Sequence, residues 1–163
     1  MRSTGSEKCV PPGRLFHAYF FGFLVHGTGM VQMTKEIMDA FRAGRIFPLA
    51  TASKDGEPNV APMGAVFPRD AETIWIGNQF MKTTLRNILE NPRACLYIWG
   101  PGIAGCYKIK GDVEVRTEGS DYETMRKEVT AVKPELHCRS LLVMKVTGVY
   151  DCMPGDHAGD RLI

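Results

Sequence analysis

The sequence predicts a mainly β domain, six short strands with three small helices, wound into a closed or nearly closed antiparallel barrel. Three observations carry this expectation. From Tyr107 to Arg116, apolar Tyr107, Ile109, Val113 and Val115 alternate with charged Lys108, Lys110, Asp112, Glu114 and Arg116, the period of an antiparallel strand with one face in water. Lys54-Asp55-Gly56-Glu57 is a hairpin turn, its Asp-Gly pair supplying the positive φ that a tight turn requires. Most other connections between strands are also of hairpin length.

Taken in order, Thr34-Lys35-Glu36 opens a short helix with Ile37, Met38 and Phe41 on one face, and Gly44 ends it. Ile46 to Ser53 is the first strand. Pro58 to Phe67 returns as the second, its prolines marking positions without a ladder donor. Thr73 to Gly77 is the third; because Ile74-Trp75-Ile76 is apolar on both faces, Trp75 or its neighbours need cover from a helix or a second subunit. Lys82 to Glu90 is a helix with Leu85, Ile88 and Leu89 inward, stopped at Asn91-Pro92. Arg93 to Trp99 is the fourth strand and the alternating stretch the fifth. Ser120 with Glu123 reads as a capping box for a helix carrying Tyr122, Met125, Val129 and Val132 on one side. Leu141 to Tyr150 is the last strand.

The first 32 residues read differently. Leu15 to Val25 is an apolar run of eleven, about 16 Å as a helix, too short to span a bilayer. A leader or non-native extension outside the fold, a secretory signal and a docked helix are the three readings, in that order of fit. The expected division is residues 1–32 as leader and 33–163 as one domain, with organised sequence beginning at Thr34.

A net charge of +2 over 163 residues offers no electrostatic case for coating nucleic acid or anchoring to a membrane. Cys9, Cys95, Cys106, Cys138 and Cys152 are odd in number and scattered, without a C-x-x-C pair. Reduced thiols in a cytoplasmic protein are expected, and no metal site. Gly100-Pro101-Gly102-Ile103-Ala104-Gly105 spells G-x-G-x-x-G, but the dinucleotide fingerprint must open a helix, and here a strand follows. It reads as a loop.

A better anion site is Asn78-Gln79-Phe80-Met81-Lys82-Thr83-Thr84, between a strand end and a helix start, where unpaired N–H groups and the helix dipole favour negative charge. Lys82 adds a point charge, with Arg86 one turn on. The same features suit an ordinary helix start with Thr as N-cap, and alone they leave the two readings open.

Together with the hairpin Leu49 to Met63, this segment resembles the pyridoxamine-phosphate-oxidase-like, FMN-binding split-barrel family. That family's pattern is a T-x-x-x-D-G-x-P-like hairpin, a strand lining the flavin, and K-T opening a helix that ends in N-P. Here these are Thr51, Asp55-Gly56 and Pro58, then Pro62 to Ala65, then Lys82-Thr83 and Asn91-Pro92. Cys106 to Thr117 is similar to the family's central strand, and the likeness runs over about residues 34 to 150.

The resemblance implies a six-stranded split barrel that forms a homodimer, with FMN at the subunit interface. It implies that Lys82 and Thr83 hold the phosphate and that Asn78, Gln79, Phe80 and Met81 shape its approach. Pro62, Met63, Gly64 and Ala65 would run along the isoalloxazine ring, the small residues letting backbone N–H groups come close. The C-terminal stretch Asp151 to Ile163 departs from the vitamin B6 oxidases, offering only His157 and Arg161 as substrate-binding candidates. The expected activity is therefore that of an FMN-dependent oxidoreductase or flavin reductase, with no identifiable catalytic acid or base. Its rivals are a non-catalytic FMN electron carrier, a barrel binding deazaflavin or haem, and a cofactor-free interaction module.

Overall fold

A computed structural model describes residues 31–163; the expectations for the apolar run Leu15 to Val25 fall outside the described residues. The elements are α1 (Lys35–Ala43), β1 (Phe47–Ala52), β2 (Pro58–Met63), β3 (Val66–Pro68), β4 (Thr73–Asn78), α2 (Thr83–Glu90), β5 (Arg93–Ile98), β6 (Tyr107–Arg116), α3 (Ser120–Val132) and β7 (Ser140–Asp151).

All seven strands form one antiparallel sheet in the order β2-β1-β5-β6-β7-β4-β3. The expected mainly β fold is present, with one strand more than the six expected. The stretch from Pro58 to Phe67 is not one strand: it breaks at Gly64-Ala65 into β2 and β3, which occupy opposite edges of the sheet. Three residue steps reach at most roughly 11 Å, so Met63 and Val66 keep those two edges close together. A seven-stranded sheet can satisfy this only by curling round on itself. The result is a split barrel whose seam is crossed by two residues.

Leu49, Leu96, Ile98, Ile109, Leu142, Met144 and Val149 fill the interior, each fully buried. Against them α1 lays Ile37, Ala40 and Phe41, the Phe41 ring 5.4 Å from that of Phe47. Just before α1, Met33 is 4% exposed and its N–H donates to the Ala71 carbonyl at 2.7 Å. The Asp-Gly turn forms as expected, with Gly56 at φ +89°. The glycine-rich run from Gly100 to Gly105 joins β5 to β6 and leads into a strand.

A second apolar cluster lies under α3, where Met125 and Val129 meet Cys138, Leu141 and Val143, with Trp75, Phe67 and Tyr122 against them. The cover that Trp75 needs comes from this helix of the same chain. The Arg69 guanidinium stacks 3.9 Å from the Trp75 ring centre and donates to Glu128 of α3 at 2.6 Å. Two details of α3 differ from expectation. Ser120 is already helical, so Gly119 takes the N-cap position and accepts from the Glu123 N–H; no capping box forms. Val132, the last residue of the helix, is exposed.

The long strand β7 has two neighbours along one edge. Ser140 to Lys145 pairs with β4, whereas Val149 to Asp151 is bonded by the returning C-terminal segment, through Leu162 N–H to Val149 O at 2.8 Å and Asp151 N–H to Asp160 O at 2.9 Å. Among the described residues no helix is long and apolar enough to cross a membrane. Cys95, Cys106, Cys138 and Cys152 are all unpaired thiols, and burial pushes those of Cys95, Cys138 and Cys152 up, towards the protonated form.

Leu96 sits at the centre of the interior on β5, so Leu96→Ala should lower the unfolding free energy by about 2–5 kcal/mol, read from urea denaturation, with an unchanged m-value.

Candidate functional site

The helix α2 is held by polar contacts more than by its expected apolar face. Thr84, Asn87 and Ile88 are its buried residues, while Leu89, expected inward, is 68% exposed and Leu85 is half-buried. The reason is a polar network on the β1–β2 hairpin. Asn59 of β2 donates from Nδ2 to Thr51 Oγ1 at 3.1 Å and to Thr84 Oγ1 at 3.0 Å, and Asn87 Nδ2 donates to the same Thr51 oxygen at 3.3 Å. Turning Leu89 inward would pull Thr84 and Asn87 away from these partners and leave buried polar groups unpaired. The network thus sets the roll of α2 and puts its first turn beside the edge strand β2.

The loop entering α2 is fixed by Asn78, at the end of β4. Its Nδ2 donates to Ser140 Oγ at 2.9 Å, and its Oδ1 accepts from the Met81 N–H at 2.9 Å. Lys82 then occupies the N-cap position without a side-chain cap, and Thr83 begins the helix. Lys82 and Arg86 are exposed on consecutive turns, and among the described residues neither makes an ion pair.

Between β2 and this loop lies a cleft of about 420 Å³, at the seam of the barrel. Pro62, Met63 and Gly64 form one wall; Gln79, Phe80, Met81, Lys82 and Thr83 form the other. Eight of the residues singled out in the sequence are therefore brought together. Two are not on its walls. Asn78 lies buried beneath the loop, and Ala65 faces the α3 cluster while its carbonyl accepts from the Gly77 N–H at 2.8 Å. Thr84, named in the anion segment, also lines the cleft; sequence reasoning missed three lining residues, Asn59, Ala61 and Gly77. Ala61 and Asn59 sat within the hairpin already singled out, but Gly77 carried no local signal.

Two features suit a bound cofactor. Gln79 lines the cleft, and its Nε2 is buried without a hydrogen-bond partner. A Cβ added at Gly77 would lie 3.0 Å from that nitrogen and 3.2 Å from the Ala65 Cβ, so any side chain there would press into the cleft lining. Among the described residues, Lys82 is the sole titratable side chain on the walls, and no carboxylate, imidazole or thiol lines them. A slightly larger hollow of about 500 Å³ lies over β1, β5 and β6 near Ala50, Cys95 and Lys110. It is more open to solvent and contains none of the residues expected to bind the cofactor.

The family profile described as pyridoxamine 5'-phosphate oxidase matches residues 33–153. The chain belongs to this family. An uncharacterized protein of Methanocaldococcus jannaschii is 38% identical over 153 residues, covering 90% of this chain and 95% of its own. Among solved structures, HupZ of Group A Streptococcus superposes with a TM-score of 0.67 at 22% identity, over 78% of this chain and 99% of that one. An FMN-binding protein from Syntrophomonas wolfei subsp. wolfei superposes with a TM-score of 0.56 at 16% identity, over 68% of this chain and 78% of that one. At these identities the two superpositions establish the shared split-barrel fold.

The Asn78 side chain serves both ends of the loop that carries Lys82. Asn78→Ala should leave Ser140 and the Met81 N–H unpaired and lower the unfolding free energy by about 2–3 kcal/mol, measured by chemical denaturation.

Proposed function

We propose that the chain is an FMN-binding flavoprotein, acting as a homodimer, that transfers hydride or electrons through the bound flavin. One observation carries this reading: a single cleft joins an unpaired cation at a helix N-terminus to small, backbone-exposing residues and an unpartnered amide. Lys82 and Thr83 would hold the phosphate, which carries roughly −1.5 to −2 charges at neutral pH. Helix dipole and free N–H groups add to their attraction. Pro62, Met63 and Gly64 would lie along the isoalloxazine ring. FMN, when bound, supplies the hydride and electron chemistry, and the chain supplies position and field. That, among the described residues, no carboxylate, imidazole or thiol lines the cleft accords with this division of labour. The FMN-binding protein of Syntrophomonas wolfei, similar in fold, supports the choice of cofactor.

The dimer is supported by two apolar side chains flanking the cleft, Phe80 at 74% and Val60 at 65% exposure. A second copy seated there would remove them from water and close the cleft. The four unpaired thiols among the described residues favour a reducing, cytoplasmic setting. Vitamin B6 oxidation is not proposed: Arg161 donates to the Ile163 carbonyl and to that of Thr147 on β7, and His157 sits against Asp160, none of them lining the cleft. A non-catalytic FMN carrier is the second reading, favoured because, among the described residues, Lys82 is the one titratable side chain on the cleft walls.

Purified protein should show the absorption of an oxidised flavin; a haem or deazaflavin spectrum, or none, would overturn the choice of FMN. In flavin-fluorescence titrations Lys82→Ala should weaken FMN binding by about one to two powers of ten and leave riboflavin almost unaffected. Equal losses would mean that Lys82 acts through folding. Turnover of reduced nicotinamide separates reductase from carrier, and light scattering that reports a monomer with flavin bound would exclude the dimer.

A further inference from the structure

We infer that Cys106 and Cys152 form a paired-thiol site, which closes into a disulfide on meeting a small-molecule disulfide and reopens with a dithiol. Neither cysteine lines the cofactor cleft, so this chemistry stands apart from the flavin reading.

Strand pairing brings the two cysteines together. β6 and β7 run antiparallel with Tyr107 opposite Asp151, and one step beyond that pair the Cys152 N–H donates to the Cys106 carbonyl at 2.8 Å. Cys106 and Cys152 therefore stand directly opposite each other, at a hydrogen-bonded position of the ladder. Residues so placed project to the same side of the sheet, with Cα atoms about 5.5 Å apart. A disulfide spans roughly 4.4–6.8 Å between Cα atoms, so little backbone movement is needed to close one. The shared side is the outer one. The Cys106 thiol donates to the Tyr97 hydroxyl at 2.9 Å, and Tyr97 is the cross-strand partner of Lys108, whose ammonium stands 5.4 Å from the centre of the Tyr150 ring. Burial above all holds the Cys152 thiol up, with Cys106 adding to it, while the Lys108 cation draws it back down. The other cysteines of the described residues are placed elsewhere. Cys95 is opposite Lys110, four residues and about 13 Å along β6 from Cys106, and Cys138 belongs to the cluster under α3.

Exposure sets the order of the two thiols, because Cys152 is half-buried and Cys106 is 2% exposed. Cys152 gives up its proton, and its thiolate attacks one sulfur of the small disulfide; a mixed disulfide forms and one small thiolate leaves. Cys106 then gives up its proton and attacks the Cys152 sulfur, and the second small thiolate leaves. The two departing thiolates take up the two protons. Two protein thiols are oxidised and one small disulfide is reduced to two thiols. In a reducing compartment such a bond is transient and reports redox state. Once closed, it ties the exit of the Gly100–Gly105 loop to the start of the C-terminal return.

The test incubates the reduced full-length protein and its Cys95→Ser, Cys106→Ser and Cys152→Ser variants with mixtures of oxidised and reduced glutathione. Free thiols are then blocked by alkylation, and joined peptides are read by mass spectrometry. Wild type and Cys95→Ser should gain one bond, between Cys106 and Cys152 of the same chain, and lose it in dithiothreitol. Cys106→Ser should stop at the mixed disulfide, with glutathione left on Cys152. Cys152→Ser should lose the bond entirely and leave Cys106 free for alkylation once the protein is unfolded. Serine at the buried Cys106 position can cost stability, so Cys152→Ser, at the half-buried position and folded by circular dichroism, decides the matter if Cys106→Ser does not fold. A bond that disappears in Cys95→Ser, a bond to any other cysteine, or one that joins two chains would overturn the pairing. So would a wild type in which Cys106 and Cys152 stay unjoined at every glutathione ratio.

Discussion

Everything in this fold depends on how little chain joins the two edges of its sheet. Strands β2 and β3 are the outermost members of a seven-stranded sheet, yet only Gly64 and Ala65 separate them. The sheet has to curl until its edges nearly meet, and the interior packing of Leu49, Leu96, Ile109 and Leu142 follows from that curl. The closure is incomplete, since β2 and β3 do not pair with each other. Backbone left without a neighbouring strand is what a ligand can approach, and the cleft opens at that seam.

A second constraint decides what faces the seam. Thr51, Asn59, Thr84 and Asn87 form a buried or half-buried polar network between the first hairpin and α2. Such networks are costly when incomplete, so α2 has one favourable roll about its axis. That roll exposes Leu89 and presents Lys82 and Thr83 at the mouth of the cleft. Asn78 completes the arrangement from the other side by holding the loop between β4 and α2.

Much of the fold was legible because it rests on local rules. The alternation in Tyr107 to Arg116 and the Asp55-Gly56 turn each report on their own neighbourhood, and both form as expected. What was not legible depends on residues distant in the chain. The break at Gly64-Ala65 was hidden in a continuous strand-like stretch, since no local signal says that its two halves pair with β1 and β4 at opposite edges. The inward face of α2 was misread because leucines outweigh a threonine and an asparagine in any apolar pattern, whereas the partners that hold Thr84 and Asn87 lie on another hairpin. Lys82, Thr83 and Pro62 to Gly64 could be singled out through resemblance to a family pattern. Gly77 and the unpaired nitrogen of Gln79 gain meaning only once Ala65 is folded beside them.

The C-terminal return along β7 has a consequence for how the molecule behaves in a crowded solution. Where β4 ends, the outer half of β7 would otherwise present an open row of donors and acceptors on an apolar strand, a template for pairing with other chains. Leu162 and Asp160 occupy that row, and the Arg161 guanidinium takes the Thr147 carbonyl in the interval that the backbone pairing leaves. These few residues act as a selvage, keeping the cloth of the sheet from unravelling into its neighbours. Trimming them would leave the cleft intact and make the protein prone to aggregate.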